Sequence, residues 1–185
     1  MEEKDFVDFV VELWLEELPE IHSTGTFDRL LRVAQHFEKL SDELCHGSGV
    51  SFWAFTVLTA LRRAGAPYEL TPTDLYRSGM VTSGAVTKRV AELERNGLVQ
   101  RRPDPSDGRG TLISLTAEGL ALVEDLAREY TELQDRLLFA LPSSKQKQIG
   151  DLLRPILLSL EGPQRPALSR TQLTSSTPTP REAKR

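Results

Sequence analysis

Residues 71–115 read TPTDLYRSGMVTSGAVTKRVAELERNGLVQRRPDPSDGRGTLISL, and this stretch decides the fold. Thr71 suits a helix N-cap, because its hydroxyl can accept from an orphan amide of the first turn; Pro72 follows at the first helical position and Asp74 lies three residues after the cap. Ser78-Gly79 interrupts that short helix. A second helix is predicted from Thr82-Ser83, with Val86, Val90 and Leu93 at the spacing of one buried face, and Asn96-Gly97 supplies a left-handed stop. Two strand-like runs come next, Leu98–Arg102 and Thr111–Leu115, separated by PDPSDGRG at 103–110, whose polar turn formers predict an exposed tip. Helix, turn, helix, strand, projecting loop, strand is the order of a winged helix-turn-helix. The fold class expected is mainly α with a small β wing.

Between its buried positions the second helix carries Ser83, Gly84, Thr87, Lys88 and Arg95, small, hydroxyl and basic side chains able to approach a nucleic-acid groove closely. The stretch VTSGAVTKRVAELERNGLVQRRPDPSDGRGTLISLTAEG, residues 81–119, resembles the core of the MarR family of transcription regulators. It joins the helix-turn-helix, the wing tip Asp107-x-Arg109 and the helix start Leu115-Thr116-x-x-Gly119 in one register. The resemblance implies that Ser83, Gly84, Thr87 and Lys88 enter the major groove of double-stranded DNA. It implies too that Arg109 enters the minor groove with Asp107 orienting its guanidinium, an arrangement suited to that electronegative groove. Thr71, Thr73 and Thr82 are candidates for phosphate contact through helix N-termini and hydroxyls, and Arg95 is a further candidate. The bland alternative for Lys88 and Arg95 is a solvated helix face paired with Glu92 and Glu94.

The 185 residues, 39% hydrophobic and 27% charged, suffice for one globular core and a tail. Net charge is −4, yet residues 71–115 carry 7 basic and 5 acidic side chains while residues 1–50 carry 4 basic and 12 acidic. Such a local basic surface on an acidic protein is enough for salt-sensitive phosphate contact. No run approaches the ~20 apolar residues of a membrane span, and the acidic start MEEKDFVDF lacks a signal peptide's basic region, so a cytoplasmic protein with no membrane partner is expected.

Outside the central stretch, DFVDFVVELWLEEL at 5–18 and Phe27–Leu44 have helical apolar spacing, and Ser51 caps FWAFTVLTALRRAG, whose broad apolar surface predicts the central packing helix. Ala66–Leu70 is expected to add one short strand. Thr116 caps a long helix reaching Ala140; Ser143 and Gln146 have capping-box spacing for a last helix, in which Pro155 predicts a kink or break. The organisation expected is N-terminal dimerisation helices over 1–45, a winged domain over 51–115, C-terminal dimerisation helices over 116–160 and a disordered basic tail over 161–185. The terminal helices hold more apolar surface than the winged domain can bury. The family resemblance implies the consequence, a two-fold homodimer reading a pseudo-palindromic operator, most often as a repressor.

LWLEELPEI, LRRAGAPYELTP and MVTSGAVTKR further resemble the urate-responsive branch of that family, in which an added N-terminal helix roofs a ligand pocket with a Trp. On that resemblance Trp14, Thr56, Arg89 and Arg101 line a pocket for a small aromatic or anionic effector. Thr56 stands where the branch has an acidic residue, and a neutral hydroxyl cannot stabilise or repel charge as a carboxylate does. The bland reading makes Trp14 a core anchor and Arg89 an ion-pair partner of Glu92 or Glu94. Cys45, the only cysteine, excludes an intramolecular disulfide and reads as a small buried filler rather than a peroxide sensor. His22, His36 and His46 lack metal-ligand spacing, no cofactor motif is present, and no phosphate loop or nucleophile elbow suggests an enzyme. The rival from another class is a winged-helix protein-interaction module that does not bind DNA.

Overall fold

The computed structural model describes residues 3–20, 24–78, 83–105 and 107–162; the side chains of residues 78, 83–86 and 107–109 lie outside that description. Two compact units divide the chain, Met1–Glu43 and Leu44–Arg185. In the first, helix α1 (Phe6–Glu17) opens on a capping box in which Asp5 accepts from the Val7 and Asp8 amides and the Asp8 carboxylate accepts from the Asp5 amide. Helix α2 (Thr26–His46) begins beside it. Arg29 binds α1 back, donating from Nε to Asp5 at 2.8 Å and from Nη2 to Asp8 at 2.5 Å. Its guanidinium holds the Asp5 carboxyl below the ordinary 3.8.

In the second unit, helix α3 (Phe52–Arg63) is the packing centre predicted from its broad apolar surface. Ser51 caps it by accepting from the Ala54 amide at 3.2 Å, and Phe52, Ala54, Phe55, Val57, Leu58, Ala60 and Leu61 are all buried. Strand β1 (Glu69–Leu70) leads into helix α4 (Pro72–Ser78), whose cap is the predicted Thr71: its Oγ1 accepts from the Asp74 amide at 3.1 Å and donates to the Asp74 carboxylate at 2.7 Å. Helix α5 (Ser83–Arg95) ends at Gly97, which has the left-handed φ of 71° that the Asn-Gly stop requires. Strands β2 (Val99–Asp104) and β3 (Asp107–Leu115) form the hairpin, and β1 joins its other side, giving the antiparallel order β1-β3-β2. Val90, Leu93, Val99, Ile113 and Leu115 close one core with α3, and Cys45 is fully buried in it, as a small apolar filler would be.

Helix α6 (Ala117–Leu138) starts on the predicted Thr116 cap, which accepts from Gly119 at 3.0 Å and donates to the Gly97 carbonyl at 2.7 Å. Gly119 is held so close that a Cβ there would stand 1.9 Å from the Leu98 carbonyl oxygen, locking the start of α6 to the end of α5.

Helix α7 (Ser143–Glu161) corrects one expectation and narrows another. Pro142, not Ser143, is its N-cap and makes no side-chain cap; the Gln146 amide instead donates to the Leu138 and Leu141 carbonyls at 3.2 and 3.0 Å, satisfying the end of α6. The helix also runs on through Pro155 without a break. None of its residues is buried, so water can solvate the carbonyl that Pro155 leaves without a partner. Ile149, Leu152, Ile156, Leu157 and Leu160 stand exposed along it. No helix among the described residues is long and apolar enough to cross a membrane.

Candidate nucleic-acid interface and effector site

The inner side of α5 is fixed by Val90, 3% exposed, and Leu93, with no exposure. Rotation about the helix axis is thereby set, because turning those residues outward would cost about 1.5–3 kcal/mol each in apolar burial. Thr87 and Lys88 are in turn exposed, as is Arg95, the last residue of the helix. Neither Lys88 nor Arg95 makes an ion pair among the described residues; Glu94, a partner expected for them, binds Arg101 at 3.1 Å instead. Ser83 and Gly84 occupy the first turn of α5, and their side-chain positions lie outside the described set, as does Thr82 entirely. Thr71 is spent on capping α4, half-buried, whereas Thr73 in the first turn of α4 is exposed. A lone helix turned to solvent would carry little argument. Here α5 is followed directly by the hairpin.

The wing is a six-position antiparallel ladder from Val99↔Leu115 to Asp104↔Asp107, with a register shift between Pro103 and Asp104. Asp107 and Arg109 lie on the backbone of β3 next to the tip; their side chains lie outside the described residues. Ion pairs brace the base. Arg101 reaches back to Glu94 on α5, and Arg102 pairs with Glu69 of β1. Such partly exposed pairs are worth at most about 1 kcal/mol each, but they oppose swinging of the hairpin relative to α5 and the sheet.

Arg89 is on the flank of α5 turned toward α3. Its guanidinium carbon lies 5.3 Å from the centroid of the Trp53 ring, and Nη1 is buried with no hydrogen-bond partner. A buried, unpaired guanidinium nitrogen costs about 1–3 kcal/mol, more than a typical exposed cation–π contact of about 0.5–1 kcal/mol returns. The facing helix offers no relief: α3 contains no Asp or Glu, the Thr56 hydroxyl donates to the Trp53 carbonyl at 2.8 Å, and that of Thr59 to the Phe55 carbonyl at 2.7 Å. Arg89 is therefore not the ion-pair partner of Glu92 or Glu94, and among the described residues no carboxylate pairs with it.

The four residues expected to form an effector pocket fall in both units, each placed within its own. Arg89 and Thr56 share Trp53 as a neighbour, Arg101 is engaged by Glu94, and Trp14, 51% exposed on α1, lines a groove with Val10, Leu13 and Glu17 in the other unit. Trp53 was missed from the sequence, where it reads as one more apolar residue of the packing helix. The available signal was a Trp adjoining the caps of an acid-free helix, with a lone Arg on the inner flank of α5.

Comparison with known proteins agrees with this geometry. A family model described as MarR family matches residues 48–110. The transcriptional regulator PecS of Dickeya dadantii is 28% identical over 149 residues, covering 80% of this chain and 90% of PecS. The multiple antibiotic resistance protein MarR of Salmonella typhimurium is 30% identical over 126 residues, covering 68% of this chain and 85% of that protein. A crystal structure of a Cys-to-Ser mutant of MarR from E. coli, complexed with operator DNA, superposes with a TM-score of 0.65 at 28% identity, covering 78% of this chain and 98% of that one.

Proposed function

The chain belongs to the MarR family of winged-helix, DNA-binding transcriptional regulators, and we propose that it works as a homodimer that reads a pseudo-palindromic operator and represses from it. The observation that carries this reading is α5 itself: Val90 and Leu93 anchor one side in the core while Thr87 and Lys88 face solvent beside a braced hairpin. In the proposed complex Ser83, Gly84, Thr87 and Lys88 meet base edges in the major groove, Arg95, Thr73 and Thr82 attend the phosphates while Thr71 only caps α4, and Arg109, oriented by Asp107, enters the minor groove. The dimer reading is supported by α7, which has no buried residue, and by the exposed Phe6, Phe9, Leu13 and Trp14 of α1. Exposed apolar area on this scale is characteristic of interfaces. In vitro selection from random duplexes tests the reading. Enrichment of an inverted repeat with half-sites one helical turn apart supports it, whereas binding indifferent to sequence favours a protein-interaction module.

The effector is a small flat anion held at Arg89. The support is the buried, unpartnered Nη1 against the Trp53 face, on a helix without a carboxylate. A bound carboxylate or enolate would meet the orphaned donor, and an aromatic body would lie against Trp53. Because Arg89 and Lys88 are neighbours on one helix, a ligand that moves Arg89 moves the reading surface. Urate and benzoate titrated against preformed protein–DNA complex should release DNA and change Trp fluorescence; release by neither would remove this part of the reading.

A further inference from the structure

A second cationic site lies between α3 and α6, and we propose that it binds a compact polyanion, a di- or tricarboxylate or a phosphate ester. The cleft is about 420 Å³ and is lined by Thr59, Arg62 and Arg63 of α3 and by Val123, Glu124, Ala127 and Arg128 of α6. That volume lies in the range of small-molecule sites. It is separate from Arg89: Trp53 and Arg62 are nine positions apart on one helix, about 14 Å at 1.5 Å per residue.

The three arginines are presented differently. Arg62 is preorganised, with its guanidinium 5.1 Å from the Tyr68 ring centroid and its Nε donating to Glu124 at 2.9 Å. Only that edge is engaged among the described residues, so its Nη groups stay available to a ligand. Arg128 donates to Asp125 at 2.5 Å through Nη1. The Arg63 side chain makes no ion pair or hydrogen bond among the described residues. With Glu124 and Asp125 counted against three guanidinium groups, one positive charge remains uncompensated in a protein whose net charge is −4.

Arg62 and Arg63 close the last turn of α3, where the helix dipole favours cations, and that alone would account for two of the three. Arg128, in the interior of α6, is brought to the same cleft by helix packing. Val123 and Ala127 supply an apolar floor, and the Thr59 hydroxyl proton is committed to backbone carbonyls, so recognition falls to the arginine forks. Forks converging from two helices suit an anion with several charged oxygens better than a single carboxylate.

Isothermal titration of the full chain with citrate and with inorganic pyrophosphate, at fixed ionic strength, tests the site. Saturable binding of one probe per chain is expected. Citrate alone would mark a polycarboxylate site, pyrophosphate alone a phosphate site, and both a site selecting charge density. The double variant Arg63→Ala/Arg128→Ala, altered only at exposed positions, should bind at least about tenfold more weakly with its unliganded melting temperature retained, and Arg89→Met should bind like the unaltered protein. The proposal is overturned if neither probe saturates, or if Arg95→Ala weakens binding as much as the double variant, which would mean general attraction to a basic surface.

Discussion

Replacing Arg89 by Met separates the cost of the proposed effector site from its use. The substitution keeps an unbranched stem against Trp53 and removes the guanidinium whose Nη1 is buried without a partner. Losing the cation–π contact costs about 0.5–2 kcal/mol, and a Met sulfur beside the ring returns about 0.3–1.5 kcal/mol. Removing the unsatisfied donor gains about 1–3 kcal/mol. The balance favours the variant by about 1 kcal/mol. Urea unfolding followed by far-UV circular dichroism should thus show a midpoint equal to or above that of the unaltered protein. Operator affinity should stay within about threefold at fixed salt, since Arg89 faces α3, but urate or benzoate should no longer release DNA. A loss of stability beyond about 1 kcal/mol would refute the reasoning and make Arg89 a structural residue; retained release would refute its role as the anion's partner.

Other perturbations address other parts of the molecule. Arg109→Ala should leave the dimer intact and weaken operator binding at least about tenfold, the effect of losing a contact of about 1–3 kcal/mol; unchanged affinity in a gel-shift titration removes the wing-tip assignment. Gly119→Ala puts a methyl 1.9 Å from the Leu98 carbonyl oxygen, and the overpacking should exceed the ~1 kcal/mol gained in helix propensity, lowering stability by about 2 kcal/mol in urea unfolding. An unshifted midpoint would mean the joint between α5 and α6 yields freely. Ile156→Glu with Leu160→Glu should convert the protein to folded monomers in sedimentation velocity, and a persistent dimer would place the interface elsewhere. Arg29 lowers the Asp5 carboxyl below 3.8, so the stability this contact gives the first unit is fully present above pH 3.8 and is lost as pH falls through the lower folded-state value. An NMR titration of the Asp5 carboxyl carbon checks it, with a midpoint at or above 3.8 as the contrary outcome.

Local chemistry was legible in the sequence wherever a residue's task is settled by its immediate neighbours. Ser51, Thr71 and Thr116 cap the helices they precede, Gly97 turns where Asn-Gly predicts, and the two strand-like runs become the hairpin, although its strands extend into the polar 103–110 segment as far as Asp104 and Asp107, and Asp104 is buried rather than exposed. Ser143 and Gln146 misled because two groups competed for one side chain: the Leu138 carbonyl at the end of α6 and the Leu141 carbonyl of the connection took the Gln146 amide. At Pro155, of the kink or break expected, the break does not occur, because the cost of a proline depends on whether the freed carbonyl meets water, which is a matter of burial. The pairing of Arg89 with Trp53 joins positions 36 residues apart, and neither residue's local pattern announces the other. Glu94 likewise turned to the strand residue Arg101 rather than to a neighbour on its own helix.

Sequence-specific operator binding by a dimer is the central claim, and titration of the selected duplex against a scrambled duplex, repeated across a salt series, measures it directly. The account predicts one dimer per inverted repeat, affinity for the selected duplex at least about 10³-fold tighter than for the scrambled one, and a linear fall of log affinity with log salt for both. Equal affinity for the two duplexes, or no salt-dependent binding to either, would contradict it.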